Sequence, residues 1–221
     1  MSPSLLLAQD LAKAYGHLHR RSVLRDVTFT VAPGTLVGIA GENGAGKSTL
    51  LKILAGVLRP DRGHVTLAGA LGYCPQEIIL NDRLTVAQHL AYFAAAYGLR
   101  DLRRADELVE RLAYQSYRQA PVATLSGGTK QKLNLTLALM HDPRVLLLDE
   151  PYQGFDWETY LRFWDLSAAL RARGCGILVI SHLLFDQQRF DTLYQLRDGQ
   201  LLAVPAAAPP ATPHTVRQEA H

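Results

Sequence analysis

The chain has 221 residues, of which 48% are hydrophobic and 19% are charged, so it can bury one sizeable core. Its formal net charge of +3 at pH 7 comes from interleaved acidic and basic residues and gives no argument for a nucleic-acid-binding surface. The two cysteines, Cys74 and Cys175, lie far apart without a CxxC pattern, which argues against a disulfide framework or a zinc site and favours a reducing compartment.

The first part of the chain is predicted to contain short strands and one helix. Alternating apolar residues over 23–32 predict a strand, and Pro33-Gly34 predicts that this strand enters a hairpin. Further short strands are predicted over 35–40 and 64–69. Between them lies a helix with one apolar face, which Gly56 ends. The residues of this face are Leu50, Leu51, Ile53 and Leu54.

The second part alternates helices with buried strands. Helical spacing of apolar residues over 84–118 predicts an all-helical insertion, which continues over 134–140. The unbroken apolar runs 144–149 and 176–181 are typical of parallel strands that are buried on both faces. Residues 193–204 predict two final strands joined by an Asp-Gly turn. These elements together predict an α/β fold with a mostly parallel sheet, a small antiparallel flank at the N-terminus and a helical insert.

No predicted element is a membrane span. The apolar run near the N-terminus ends at Gln9 and is too short for a signal peptide. No stretch approaches the roughly 18 uninterrupted apolar residues that a membrane span needs. We therefore expect a soluble chain that acts at a membrane only through a partner.

A glycine-rich segment follows the predicted strand 35–40 and opens the next helix. It reads GENGAGKS over 41–48 and fits the pattern G-x-x-x-x-G-K-[ST]. Glycines let backbone N–H groups turn toward one point, and the helix N-terminus adds N–H groups and the positive end of its dipole. A polyphosphate fits this concavity, with Lys47 on the β- and γ-phosphates and Ser48 on Mg²⁺. The alternative, a glycine-rich turn with an exposed lysine, does not explain the flanking strand and helix.

Two carboxylates end the apolar run VLLL. They are Asp149 and Glu150. Because unpaired buried charge is costly, acids at the end of a buried strand require an explanation. Beside a phosphate-binding loop, the first acid would hold the metal through its water shell, and the second would polarise the attacking water. The alternative is a solvated pair that opens a loop.

The segment LSGGTKQK, residues 125–132, narrows the class of phosphate-binding protein. Together with the glycine loop and the two acids, it resembles the nucleotide-binding subunit of ABC transporters. The resemblance covers roughly residues 5–204. It implies an ABC transporter ATP-binding domain over 1–204, with a P-loop NTPase (RecA-like) parallel-sheet core, an N-terminal antiparallel β subdomain and a helical ABC insert at about 78–140. Residues 205–221, rich in alanine and proline, are expected to form a flexible tail.

The resemblance assigns roles in catalysis and nucleotide binding. Glu150 matches the catalytic glutamate, His182 matches the switch histidine, and Lys47 is the lysine of the Walker A loop. Nucleotide contacts are assigned to the adenine-stacking Tyr15, to Gly41, Glu42, Asn43, Gly44, Ala45, Gly46, Lys47, Ser48 and Thr49, to Gln76 of the Q-loop, to Ser126, Gly127 and Gly128 of the signature, and to Asp156 of the D-loop.

Magnesium binding is assigned by the same resemblance to Ser48, Gln76 and Asp149. In the family, the signature of one chain serves the nucleotide held by a second chain, so hydrolysis is expected to require a dimer. The signature departs from the common family pattern at Thr129, where glutamine is frequent, and resembles a variant of ABC-2-type exporter subunits. Phe155 stands where leucine is usual.

These matches predict an ATP-binding and ATP-hydrolysing subunit that powers transport, with export favoured. ATP and Mg²⁺ are the expected cofactors. The expected partners are transmembrane permease subunits and a second ATP-binding subunit, either an identical copy or a paralogue, and no nucleic acid. The predicted location is cytoplasmic, on the inner face of the cell membrane through the permease. Residues 84–99 are the candidate docking surface, although helix packing within the insert explains their composition equally well.

Two other functions are consistent with parts of this pattern. A soluble ABC-type ATPase acting on nucleic acid or ribosomes would share the motifs, but such proteins usually carry long coiled coils or two fused cassettes, and this sequence has neither and lacks a basic arm. A nucleotide kinase or GTPase would share the glycine loop but would leave LSGG unexplained.

Overall fold

A six-stranded sheet forms the centre of the structure, a computed structural model that describes residues 4–16, 20–77, 80–182 and 186–204. A separate three-stranded sheet shares an apolar core with it. In chain order the strands are β1 (Leu6–Tyr15), β2 (Arg21–Val31), β3 (Leu36–Ala40), β4 (Arg62–Leu67), β5 (Leu71–Cys74), β6 (Val145–Asp149), β7 (Gly176–Ser181), β8 (Thr192–Arg197) and β9 (Gln200–Val204).

The large sheet has the order β5-β6-β7-β3-β8-β9, and all of its neighbouring strands are parallel except β8 and β9. β6 and β7 are buried along their whole length, because apolar layers cover both faces of the sheet. Asp198 and Gly199 join β8 to β9 with φ values of 50° and 78°, which is the backbone of the predicted two-residue turn. The predicted α/β architecture with a mostly parallel sheet is confirmed.

The small sheet is antiparallel, with the order β2-β1-β4, and it corrects one prediction. The chain does turn at Pro33-Gly34, where Gly34 has a φ of 70°, but β2 and β3 do not form a hairpin. β3 is hydrogen-bonded to β7 on one side and to β8 on the other, so neither of its edges is available to β2. The turn therefore carries the chain from one sheet to the other.

Two strands were not predicted because their local patterns are weak. β1 lacks regular alternation, since its pairing with β2 shifts between Ala8 and Leu11. Asp10, with a φ of 51°, lies in this bulge, and the bulge reverses the phase of the side chains. β5 has only four residues, and one of them is Gly72. Neither strand offers the run of alternating residues on which the sequence argument depends.

The described residues form five helices, of which the first, fourth and fifth contact strands of the large sheet, whereas the second and third contact the fourth. Alternate residues of the central strands point into two apolar cores: in β6, Leu146 and Leu148 enter one core, and Val145 and Leu147 enter the other. The first core includes buried residues of the second, third, fourth and fifth helices. The second core includes the first helix and the small sheet. The helices are α1 (Lys47–Leu54), α2 (Val86–Ala96), α3 (Arg103–Arg111), α4 (Gly127–Leu139) and α5 (Trp157–Ala172).

Helix α1 forms as predicted. Its apolar face, which comprises Leu50, Leu51, Ile53 and Leu54, is buried. Gly56 follows with a φ of 73°, and its N–H donates to the Ile53 carbonyl at 3.0 Å, which closes the last turn. Across the described residues, none of the helices combines the length and the apolar character needed to cross a bilayer.

Candidate active site

Four neighbouring parallel strands end at one edge of the large sheet, and the predicted site residues follow their carboxyl ends. This is the edge at which open α/β sheets bind ligands. Gln76 follows β5, Glu150 follows β6, His182 follows β7, and the segment 41–46 follows β3. The resulting cleft has a volume of about 410 Å³. It is lined by Val23, Asn43, Gly44, Gly46, Lys47, Ser48, Thr49, Gln76, Asp149, Glu150, Gln153 and His182.

The glycine loop presents the N-terminus of α1 to this cleft. No side chain caps the helix, and its first turn contains no acidic residue, so its leading N–H groups are not used by local side chains. Gly46 precedes the helix with a φ of 108°, and a Cβ atom there would lie 2.9 Å from the Val23 carbonyl oxygen. Only glycine fits this position, which explains the second fixed glycine of the motif.

Lys47 lies across the loop and is only 9% exposed. Its Nζ donates to the carbonyl oxygens of Gly41 at 2.6 Å and Glu42 at 3.0 Å. Among the described residues, no carboxylate lies within 4.0 Å of this ammonium group. A nearly buried cation whose hydrogen-bond partners are carbonyl oxygens favours the approach of an anion, because the anion supplies a negative charge in direct contact with it.

Asp149 is a buried acid at the centre of the cleft. Burial and the neighbouring Glu150 raise its pKa from 3.8 to about 6, and Lys47 and a hydrogen bond from the Gln76 backbone partly offset this rise. The carboxylate therefore costs folding free energy when it ionises in the absence of a cation. Such a group is a favourable cation ligand.

Replacing Asp149 with Asn should make the nucleotide-free protein relatively more stable as the pH rises. Because the folded state raises the pKa of Asp149, it keeps a proton that the unfolded chain loses, and the stability from this group falls between pH 3.8 and about 6. We expect the melting temperature of D149N minus that of the unmodified protein to increase over this interval and then to stay constant. A pH-independent difference, measured by thermal unfolding in a metal chelator, would contradict this expectation.

Glu150 is only 6% exposed, and three hydrogen bonds satisfy its buried carboxylate. Oε1 accepts from the His182 backbone N–H at 2.6 Å and from His182 Nδ1 at 2.7 Å, and Oε2 accepts from Ser181 Oγ at 2.6 Å. Its backbone has a φ of 48°, yet its N–H still donates to Ile180 in β7. The tip of β7 therefore fixes the orientation of this carboxylate at the wall of the cleft.

Tyr15 lies at the end of β1, next to the first turn of α1. Its hydroxyl is 3.4 Å from Thr49 Oγ1, and the residue is 46% exposed. The Lys13 ammonium lies 5.9 Å from the ring centroid. Tyr15 does not line the cleft itself, but it offers an exposed aromatic face near one end of the loop.

The signature residues and Asp156 lie outside this cleft. Ser126 caps α4, with its Oγ accepting from the Thr129 N–H at 3.2 Å, and Asp156 caps α5 in the same way, at 2.7 Å from the Thr159 nitrogen. The two segments touch each other, since a Cβ on Gly128 would lie 2.5 Å from the Gly154 carbonyl oxygen. The cleft therefore brings together only part of the predicted site. The signature residues and Asp156 form a separate group, and the cleft lining also leaves out Tyr15, Gly41, Glu42 and Ala45.

Four residues at this site were not predicted from the sequence. Val23 and Gln153 line the cleft, and Ser181 and Tyr152 lie behind Glu150. Val23 and Gln153 carry no motif that could have marked them. Ser181 could have been suspected, because it is the last residue of a buried strand and directly precedes His182.

A family model described as ABC transporter matches residues 24–153, which is more than half of the chain. The chain belongs to the ABC transporter family. Lipopolysaccharide export system ATP-binding protein LptB of Acidithiobacillus ferridurans is 35% identical over 216 residues, which cover 90% of this chain and 88% of that protein. A solved structure of an ATP binding subunit of an ABC transporter superposes with a TM-score of 0.82 at 31% identity, covering 90% of this chain and 88% of its own.

These similarities confirm that the chain is an ABC-type ATP-binding cassette with the P-loop NTPase fold, and therefore an ATPase unit. They do not favour the alternative function on nucleic acid or ribosomes. Human ATP-binding cassette sub-family A member 9 is 39% identical over 181 residues, which are 76% of this chain but 11% of that protein. The chain thus spans about a tenth of the length of this ABC relative.

Proposed function

We propose that this cassette binds and hydrolyses ATP as the motor subunit of an exporter whose permease is a separate membrane protein. The observation that carries the proposal is the convergence in one cleft of the uncapped glycine loop, a nearly buried lysine and two buried acids. Export is supported by the relative that matches along nearly its whole length, because it is named as part of an export system.

The loop and Tyr15 would hold the nucleotide at its two ends. The N-terminus of α1 and the loop amides would bind the phosphates, and Lys47 would exchange the carbonyls of Gly41 and Glu42 for the β- and γ-phosphates. The exposed ring of Tyr15, near Thr49 at the first turn of α1, would stack on adenine.

The donors around Asp149 fit Mg²⁺, which prefers oxygen ligands and keeps several waters. Ser48, Gln76 and Asp149 all carry side-chain oxygen atoms and line the cleft. The neighbouring acid Glu150 contributes to the raised pKa of Asp149, and a bound cation would relieve this repulsion. When bound, the ion would neutralise charge on the phosphates and orient them for cleavage.

Glu150 would accept the proton of the attacking water, and His182 would hold the γ-phosphate. The hydrogen bond to Glu150 places a proton on Nδ1 of His182. A neutral ring in this tautomer has an acceptor at Nε2, so it can donate to a phosphate only as imidazolium.

A second copy or a paralogue would complete each site. Within one chain, Ser126, Gly127, Gly128 and Asp156 lie away from the cleft, whereas the uncapped loop lies inside it. Two cassettes facing each other would place the N-terminus of α4 from one against the γ-phosphate held by the other. Loss of that phosphate would remove the bridge and let the pair open.

We further propose that residues 1–204 form one ATP-binding domain, with about 78–140 as its helical part, and that the cassette works in the cytoplasm on the inner face of the membrane. Helix α2 supports 84–99 as the permease-docking surface, since Tyr92 is 66% exposed on it. The predicted tail, 205–221, lies outside the described residues.

The experiment is to purify the tagged chain from gently solubilised native membranes and to identify what accompanies it. We expect Mg²⁺-dependent phosphate release from ATP and recovery of an integral membrane protein. Tyr92→Ala should reduce that recovery, whereas Tyr117→Ala, an exposed tyrosine outside 84–99, should not. Recovery of ribosomes or nucleic acid in place of a membrane protein would contradict the proposal.

A further inference from the structure

We propose that Tyr152 and Ser181 are positioning residues for Glu150, joined to it in a chain of hydroxyl groups that sets the direction of its carboxylate. This inference rests on the proposed role of Glu150 as the base of ATP hydrolysis. Neither hydroxyl lines the cleft, so both would act through Glu150 and not on the nucleotide.

Ser181 is the link that contacts the carboxylate. It is fully buried at the end of β7, and its Oγ lies 2.6 Å from Glu150 Oε2. A short hydrogen bond from a hydroxyl to an ionised carboxylate is of the strong, charge-assisted kind. It holds Oε2 against Ser181, while Oε1 accepts hydrogen bonds from His182. The carboxylate therefore cannot rotate without losing hydrogen bonds to both residues.

Tyr152 fixes the direction of this bond. The tyrosine hydroxyl is hydrogen-bonded to Ser181, and burial raises the pKa of Tyr152 to about 12, so the phenol keeps its proton at neutral pH. A serine hydroxyl has one hydrogen, and the acceptor-only carboxylate of Glu150 takes it. The Tyr152 hydroxyl must then donate to Ser181, and the chain runs from Tyr152 through Ser181 to Glu150.

The aromatic ring of Tyr152 is itself held in place. It makes edge contacts with Tyr160 and Phe163, at centroid distances of 5.6 Å and 5.9 Å, and lies 6.2 Å from Trp164. These partners belong to α5, the helix that follows Asp149 and Glu150 in the chain. The packing of α5 therefore restricts the position of the hydroxyl that begins the chain.

The test measures ATP turnover and ATP affinity separately in the purified full chain. Ser181→Ala should lower kcat by about 10- to 100-fold and leave the ATP dissociation constant unchanged, because the carboxylate loses its anchor but the phosphate contacts remain. Tyr152→Phe should lower kcat by about 2- to 10-fold. The double variant should be no slower than Ser181→Ala alone, since the proposed chain reaches Glu150 through Ser181.

Tyr160→Phe is the matched control. It removes a hydroxyl from the same aromatic cluster, but that hydroxyl donates to Asp186 at 3.2 Å and has no part in the chain. It should leave kcat unchanged. Multiplicative effects of Ser181→Ala and Tyr152→Phe, an unchanged kcat in Ser181→Ala, or an equal loss in Tyr160→Phe would each overturn the inference.

A readout without nucleotide separates this inference from the proposed function. The His182 backbone N–H donates to Glu150, so hydrogen exchange at His182 reports the position of the carboxylate. Exchange there should be faster in Ser181→Ala than in Tyr160→Phe, and equal rates would overturn the inference. An unmodified protein that never releases phosphate would instead contradict the proposed function, while this comparison of exchange rates would still decide the inference.

Discussion

Glu150→Gln is expected to lower the rate of ATP hydrolysis by about 100- to 10,000-fold, the range for loss of a general base. Glutamine keeps the shape of the side chain, and its amide can still bond to Ser181 and His182, so the fold should survive. ATP affinity should be retained, because the loop amides and Lys47 are untouched. With hydrolysis blocked, the ATP-bound pair of cassettes should persist, and light scattering should show a doubled mass that depends on ATP.

Glu158→Gln is the matched control for this experiment. Glu158 is an exposed acid in the first turn of α5, paired with Arg162 at 2.6 Å, and it lies outside the cleft. The same change of charge there should leave turnover intact. Rapid phosphate release by Glu150→Gln, measured under single-turnover conditions, would remove Glu150 from its proposed role.

Lys47→Ala is expected to weaken ATP binding by about 10- to 100-fold. Hydrogen bonds to a charged group contribute about 1.5–3 kcal/mol, and each 1.4 kcal/mol corresponds to a factor of ten in affinity. The substitution also removes the nearly buried charge that attracts the phosphates and the two bonds to the carbonyls of Gly41 and Glu42. Isothermal titration calorimetry with Mg-ATP would measure the loss.

Lys52→Ala controls for the loss of a positive charge on the same helix. Lys52 is exposed in the last turn of α1 and does not line the cleft. We expect its substitution to change ATP affinity little, since solvent and salt screen an exposed charge. Equal ATP affinities for Lys47→Ala and the unmodified protein, with both folded by thermal unfolding, would argue against the assignment of the loop.

Much of the fold could be predicted because the relevant signals are local. β7 was predicted at its observed bounds from an unbroken apolar run, and the turn at Asp198-Gly199 from a dipeptide that tolerates positive φ. The end of α1 followed from Gly56. By contrast, β1 was missed because its bulge at Asp10 breaks the alternation, and β2 was placed in a hairpin because a turn sequence does not specify which sheet its strands join.

The residues of the candidate site could be predicted from the sequence, but their arrangement in one cleft could not. The loop, the two acids and the histidine were predicted as its parts, because each stands beside an element that the sequence already marks. Their meeting in one cleft depends on the strand order β5-β6-β7-β3, which joins segments more than a hundred residues apart. The spacing of apolar residues within one segment cannot predict this strand order.

The sequence by itself determined the family, the central α/β plan and the chemical groups available to a nucleotide, since these reside in short motifs with fixed spacing. Only the tertiary structure decided that Lys47 rests on backbone carbonyls, that the residues 126–128 lie away from the cleft, and that Ser181 and Tyr152 stand behind Glu150. The physical reason is that burial and hydrogen-bond partners are set by packing between distant segments, whereas a motif records only neighbours along the chain.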